Sequence, residues 1–272
     1  MKKLIAAAIL ASACPVFTGA ALAQEAPPGE FEVAGSVALV SDYRFRGVSQ
    51  SNKEMAVQGG VSVTHESGLY VGTWGSNLAG WGTFGGSNME LDIYGGFAKE
   101  FSGVKVDVGL TWYMYPGGAD LTDFAEPYVK VSGTVGPASL LAGVAYAPKQ
   151  EALGNFSNTP QSRGQSEDNL YLWTDASVGV PGTPLTLKGH LGHSNGNPGL
   201  GPNGTSVTPT GKYWDWSLGA DAAVGPLTLG VSYIDTDITA AKSAYLQPNF
   251  SSTKDGSSIA GSTVVFTLSA AF

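Results

Sequence analysis

The sequence predicts an all-β fold: a transmembrane antiparallel up-and-down β-barrel of about twelve strands. Three observations carry the prediction. Apolar and polar residues alternate with period two through most of the chain, which sets them on opposite faces of strands. Short turns alternate with long polar connections, the arrangement of outer-membrane barrels. Beyond the first 23 residues no apolar run is long enough for a transmembrane helix, so any crossing must be made by strands.

The N-terminal segment has the layout of a secretory signal peptide over residues 1–23. Met1-Lys2-Lys3 is basic, Leu4 to Phe17 is mostly apolar, and Ala21-Leu22-Ala23 is an A-x-A site before Gln24. Cys14 suggests a lipoprotein box as the competing reading, but Ala11 stands where such a box carries Leu. Cleavage after Ala23 removes Cys14, the single cysteine, so no disulfide is expected. It also removes Lys2 and Lys3, moving the net charge from -8 to -10. So acidic a chain is a poor nucleic-acid binder. Residues 24–30, with Pro27 and Pro28, read as a short periplasmic leader, and 31–272 as the barrel.

Each strand is read from its alternation. In the first, Phe31, Val33, Val37, Leu39, Tyr43 and Phe45 oppose Glu32, Ser36, Asp42, Arg44 and Arg46. In the second, Met55, Val57, Val61 and Val63 oppose Gln58, Ser62 and Thr64. Leu69–Ser76 mixes polar and apolar residues on both faces, and its facing stays open. Met89, Leu91, Ile93 and Phe97 oppose Glu90, Asp92 and Tyr94. Val104 to Met114 alternates against Lys105, Asp107, Thr111 and Tyr113. Further strands are expected at Pro127–Val135, Leu140–Tyr146, Leu170–Val180, Leu185–His193, Trp214–Val224, Leu227–Asp235 and Val264–Phe272. The even count puts both ends on one side.

The connections are of two kinds. Ser67-Gly68, Ser102-Gly103, Gly136-Pro137, Pro181-Gly182-Thr183 and Gly225-Pro226 have the residues of tight turns. Between them run long segments: Gly47–Glu54, Leu78–Asn88, Pro116–Phe124, Lys149–Glu167, Ser194–Gly211 and Ile238–Gly261. A soluble sandwich would alternate in the same way. Against it, the apolar face carries aromatics near strand ends, as an interfacial girdle does. Tyr43, Phe45, Trp112, Trp214 and Trp216 are expected on the loop side, with Phe31, Phe101 and Phe272 on the turn side.

The last strand places Val264, Phe266, Leu268, Ala270 and Phe272 on one face. Phe266, Leu268 and the final Phe272 resemble the C-terminal signal read by the barrel-assembly machinery, which makes that machinery an expected partner during biogenesis. Outer-membrane lipid and lipopolysaccharide are expected around the barrel, with sister subunits as a further option. The expected location is the bacterial outer membrane.

Ser41-Asp42-Tyr43-Arg44-Phe45-Arg46-Gly47 is followed by Ser49-Gln50-Ser51, Gln58-Gly59-Gly60, Gly68-Leu69-Tyr70, Trp74 and Asn77. Glu90-Leu91-Asp92-Ile93-Tyr94-Gly95-Gly96 comes next. In order and spacing these resemble the TorF-like porin family of proteobacteria. The resemblance implies a barrel and a passive porin for small hydrophilic solutes.

Alternation assigns a set of charged residues to the lumen: Asp42, Arg44, Arg46, Glu90, Asp92, Lys105, Asp107, Glu126, Lys130, Asp175, Lys188, Asp215 and Asp221, with Glu32 near the turns. Such a set suits either a water-filled pore with a transverse field or a lattice of structural ion pairs. Asp42, Arg44 and Arg46 are expected to stack at the loop-side end of the first strand. There they either form one wall of a constriction or of an anionic-solute ladder, or Arg44 pairs with Asp42, or with Glu90 or Asp92 across the lumen. Tyr94, Tyr113, Tyr115, Tyr128, Tyr171, Trp173 and Tyr213 also fall on the lumen face, either filling it or forming a stacking track for solutes. A closed barrel that presents its loops is the alternative function.

No catalytic residue, metal site or cofactor is expected. A lipid esterase would need Ser and His together at the outer face. His65 and Ser67 stand at a short turn instead, and Asn195 follows His193 at that spacing. No G-x-S-x-G occurs. His190 and His193 fall on opposite faces of a strand, which is unsuited to a shared metal.

Overall fold

The computed structural model describes residues 30–155, 158–199 and 207–272. The expected signal peptide and nearly all of the expected leader lie outside these. Twelve antiparallel strands close into a barrel. In chain order the elements are β1 (Phe31–Val40), β2 (Arg44–Phe45), β3 (Val48–Ser49), β4 (Ala56–His65), β5 (Leu69–Asn77), β6 (Met89–Phe101) and β7 (Val104–Met114). They continue with β8 (Phe124–Val135), β9 (Ala138–Gln150), β10 (Glu167–Gly179), β11 (Leu185–Gly196), β12 (Lys212–Val224), β13 (Leu227–Thr236) and β14 (Thr263–Ala271). Every wall strand pairs with its neighbours in sequence, and β1 pairs with β14 to close the ring. β2 and β3 form a separate two-stranded hairpin.

The faces are inverted relative to a soluble protein. Val37, Val61, Val71, Ile93, Val108, Leu172, Leu218, Leu229 and Phe266 point outward and are exposed. Glu90, Asp92, Asp107, Glu126, Lys130, Asp215 and Asp221 point inward and are buried. An apolar surface of this extent far exceeds the patches that monomeric soluble proteins leave in water. It is the lipid-facing band of a transmembrane barrel. Phe31, Phe101 and Phe272 on the turn side, and Trp112 and Trp214 on the loop side, are exposed as the girdle reading requires.

The seam has its own geometry. β1 faces β4 along its whole length, Phe31 to Val40 against His65 to Ala56. It meets β14 only from Ser36 to Val40, against Ala271 to Thr267. Below that ladder the Gly35 and Phe272 backbones exchange two hydrogen bonds, of 2.7 and 2.9 Å. A Cβ on Gly35 would stand 2.5 Å from the Phe272 ring, so only glycine admits the ring at this point.

The first strand is shorter than alternation predicts. β1 ends at Val40, where Ser41 exchanges bonds with Phe266 through its N–H and its Oγ, each at 2.9 Å. The chain then turns into the lumen. Tyr43, assigned above to the outer girdle, is 1 % exposed and lies inside. Phe45 packs within the interior with it. The facing of β5 is now defined: Leu69 and Val71 point out, while Trp74 meets Tyr43 inside.

Candidate functional site

The lumen is organised around the segment between β1 and β4. Asp42 is its anchor. Its Oδ1 accepts from Ser49 Oγ at 2.5 Å and Ser51 Oγ at 3.4 Å, and its Oδ2 accepts from Arg44 Nε at 2.7 Å. Arg44 also donates through Nη1 to the carbonyls of Gly47 (2.9 Å) and Gly261 (3.1 Å). These bonds fold the segment back on itself as the β2–β3 hairpin.

At the hairpin tip Arg46 and Gly47 both adopt left-handed backbone, with φ of 47° and 78°. A Cβ on Gly47 would collide with Thr236 Cγ2. Glycine therefore lets the tip press against the wall, and Arg46 is projected across the lumen. Its Nη2 donates to both oxygens of Glu126, at 2.8 and 2.7 Å. The guanidinium lies 4.1 Å from the Tyr171 ring centre and 4.7 Å from that of Phe45. Tyr213 donates its hydroxyl to the Arg46 carbonyl at 3.0 Å. A cation this deeply enclosed requires such a partner, because an unpaired buried charge is expensive.

This geometry corrects the expected ladder. Asp42, Arg44 and Arg46 do not stack on one face of a wall strand; they sit on an inward-folded hairpin. The reason is local: Asp42 is satisfied by Ser49 and Ser51, further along the same segment, and Gly47 permits the reversal between them. Of the partners proposed for Arg44, Asp42 is the one observed. Arg46 pairs instead with Glu126.

Glu90, Asp92, Asp107, Glu126, Lys130, Asp175, Lys188, Asp215 and Asp221 do face inward, whereas Glu32, also assigned to the lumen, is exposed at the turn end of β1, beyond the enclosed part of the barrel. Lys130 pairs with Asp107 at 2.9 Å, and Lys188 with Asp221 at 2.7 Å. Glu90 accepts from Tyr43 at 3.0 Å, and Asp92 is buried on the same strand. Lys105 is partly buried nearer the turns. Two groupings were not anticipated. Tyr70 donates to Asp107 at 2.5 Å and meets the Tyr128 hydroxyl at 2.6 Å, filling the β5–β8 side of the lumen. His190 lies between Asp175 (2.6 Å) and Asp215 (3.1 Å), with the Tyr171 hydroxyl 2.9 Å away. Alternation did face His190 inward. Its pairing with Asp175 needed the β10–β11 register, in which the two stand opposite. His193 is on the outer face against Trp214, as parity predicts.

Above the hairpin the loops build an apolar cap. Val48, Trp81, Tyr213, Ile238, Leu246, Phe250, Ile259 and Ala260 pack together, with the Trp81 and Phe250 rings 4.8 Å apart. Below it lies a cavity of about 160 Å³, bounded by Arg46, Tyr128, Tyr171, Trp173, His190 and the inward residues of β11 to β14.

Solved structures of similar shape include a membrane protein from a study of in-meso crystallization. It is 6% identical, with a TM-score of 0.50 over 88% of this chain and 83% of that one. An outer membrane channel from Pseudomonas putida F1 is 9% identical, with a TM-score of 0.44 over 91% and 97%. An anion-selective porin from Comamonas acidovorans is 13% identical, with a TM-score of 0.41 over 89% and 99%. At these identities the likeness is one of fold. No curated protein matches the sequence. The profile of one bacterial family matches residues 24–272, from the expected cleavage point to Phe272, and the chain therefore belongs to that family, described as bacterial protein of unknown function (Gcw_chp).

Proposed function

We propose that the protein is an outer-membrane porin, passing small hydrophilic solutes and ions by passive diffusion. In this reading the described conformation is a closed one, with the β2–β3 hairpin as its constriction. The observation that carries the proposal is the lumen itself: a polar, ion-paired interior holding a cavity, inside an apolar exterior. A barrel that served only as a rigid mount would be as stable with an apolar filling, since buried ion pairs add little net stability. The resemblance of residues 41–96 to TorF-like porins supports the same reading. Lipid and lipopolysaccharide would contact the outer band, and the outward face of β14 would be presented to the assembly machinery. The proposal assigns no catalytic, metal or cofactor role.

One observation favours a second reading. The apolar cap around Trp81 and Phe250 packs over the hairpin on the loop side and needs no solute to account for it. A closed barrel that displays its loops would look the same. Recording from the purified protein in planar bilayers separates the two. Stepwise openings support the porin; a silent membrane into which the barrel has demonstrably inserted supports the closed barrel.

A further inference from the structure

We propose that the cavity below the hairpin is a binding site for a small, neutral, polyhydroxylated solute, a short polyol or a monosaccharide. The inference names the solute class of the proposed porin and rests on that reading for its physiological meaning.

The first argument comes from the charges. Every basic group on the cavity wall is already engaged: Arg44 by Asp42, Arg46 by Glu126, Lys188 by Asp221, and His190 by Asp175 and Asp215. Arg44 Nη2 and Arg46 Nε and Nη1 keep no hydrogen-bond partner among the described residues, but they are buried beside Asp42 and Glu126, whose charges repel an anion, and a cation would have to displace a base. Either ion brings a charge into a confined space whose own charges are already paired, where a charge without its own partner is costly. A neutral solute leaves the pairs intact.

The second argument comes from the hydroxyls. Ser177, Ser217, Thr228, Ser232, Thr267 and Ser269 line the same cavity. None has a hydrogen-bonded side chain among the described residues, in contrast to the hydroxyls of Ser49 and Ser51 in the hairpin. Register brings them together. Thr228 stands opposite Ser269, and Thr267 opposite Gly230, whose missing side chain leaves room for Asp221 beside it. Each hydroxyl can donate once and accept twice. A cluster of them offers what a polyol needs, and nothing that selects an ion.

The third argument comes from the facing wall. Trp173 stacks on Tyr171, centroids 5.4 Å apart at 20°. The Tyr171 ring is taken by Arg46 and Trp173, so Trp173, which lines the cavity, supplies the apolar aromatic surface with a polar edge on which the C–H face of a sugar rests. The volume suits a guest larger than a single water: about 160 Å³, against the ~10–15 Å³ that one water needs. The wall descends to Ser139, Ser177 and Thr228, each near a short turn. The site therefore runs toward the turn side, with the hairpin and cap above it on the loop side.

The test uses the full mature protein folded in detergent, with saturation-transfer NMR against D-ribose and glycerol and with ethylammonium and acetate as ionic comparators. We expect saturation of D-ribose or glycerol and none of the ions. Thr228→Val with Thr267→Val keeps shape and removes two hydroxyls; it should weaken polyol binding about tenfold. Thr228→Ser with Thr267→Ser should restore it. Heat-modifiable gel mobility checks that each variant is folded. Preferential saturation of either ion, absence of polyol saturation, or a folded Val variant that binds like wild type overturns the inference. Conductance of the same preparation separates the two readings. A conducting pore that binds no polyol overturns the inference alone. Polyol binding by a silent barrel overturns the porin reading alone.

Discussion

Arg46 reaches across the barrel to take both oxygens of Glu126 through a single nitrogen, at 2.8 and 2.7 Å. The two residues belong to a hairpin tip and to β8, so this pair fastens the tip to the β8 side of the wall, beside the Tyr213 hydroxyl that holds the Arg46 carbonyl from β12. Replacing Arg46 by Ala leaves Glu126 buried without its cation. The expected cost is about 3–5 kcal/mol, read as a lower urea midpoint in vesicles. Replacing Glu126 by Gln as well removes the stranded charge and should return a substantial part of that loss. In bilayers Arg46→Ala should lengthen open times, because the hairpin loses its attachment to β8. A hairpin equally closed in the single variant would show that the pair does not fasten it.

Selectivity provides an independent check. Removing both Arg44 and Arg46 by Ala substitution takes two cations from the constriction and leaves Asp42 and Glu126. Reversal potential under a salt gradient should shift toward cation preference. An unchanged potential in a conducting channel would remove the hairpin from the ion path.

The assignment of faces can be tested at one pair of neighbours. Leu218 lies midway along β12 and is 67 % exposed on the outer face, while Ser217 beside it faces the lumen. Leu218→Arg should cost about 2–4 kcal/mol in a bilayer. Ser217→Arg, facing a polar interior with carboxylates nearby, should cost less. Equal costs in chemical unfolding from vesicles would contradict the inverted faces.

At the seam, Gly35→Leu puts a side chain where the Phe272 ring lies. The folded band on an unheated gel should convert at a lower temperature than in wild type. Adding Phe272→Ala should recover part of the difference, since it clears the space. A variant that melts like wild type would show that the ring is free to move aside.

Alternation revealed nearly all of the wall, because membrane and lumen impose opposite chemistry on successive residues. It went wrong at Tyr43 and Phe45, where the same alternation continued although the strand had ended. Period two tests only whether neighbours differ, and Asp42-Tyr43-Arg44-Phe45-Arg46 differ equally well inside the lumen. The signals for departure were present in Ser49 and Ser51, which satisfy Asp42, and in Gly47, which allows the reversal. They are bonds between particular side chains, and parity carries no information about those. The same limit hid His190 between Asp175 and Asp215: facing follows from one strand, whereas contact needs the register of three. For Tyr70 even the facing was hidden, because β5 mixes small and polar residues on both sides.

The ladder between Ser36–Val40 and Ala271–Thr267 differs from the other eleven in kind. Those join consecutive strands, and each can be found by local search. The seam is nailed by contacts such as Phe266 to Ser41, which are 225 positions apart. Such a pairing must bear the loop-closure entropy of almost the whole chain. It also decides the ring's shear, and with it strand tilt and diameter. A slip of two residues there would preserve every inside-outside assignment yet give a barrel of another width. The bore of this protein is thus set where its two ends meet, at a place no solute need ever touch.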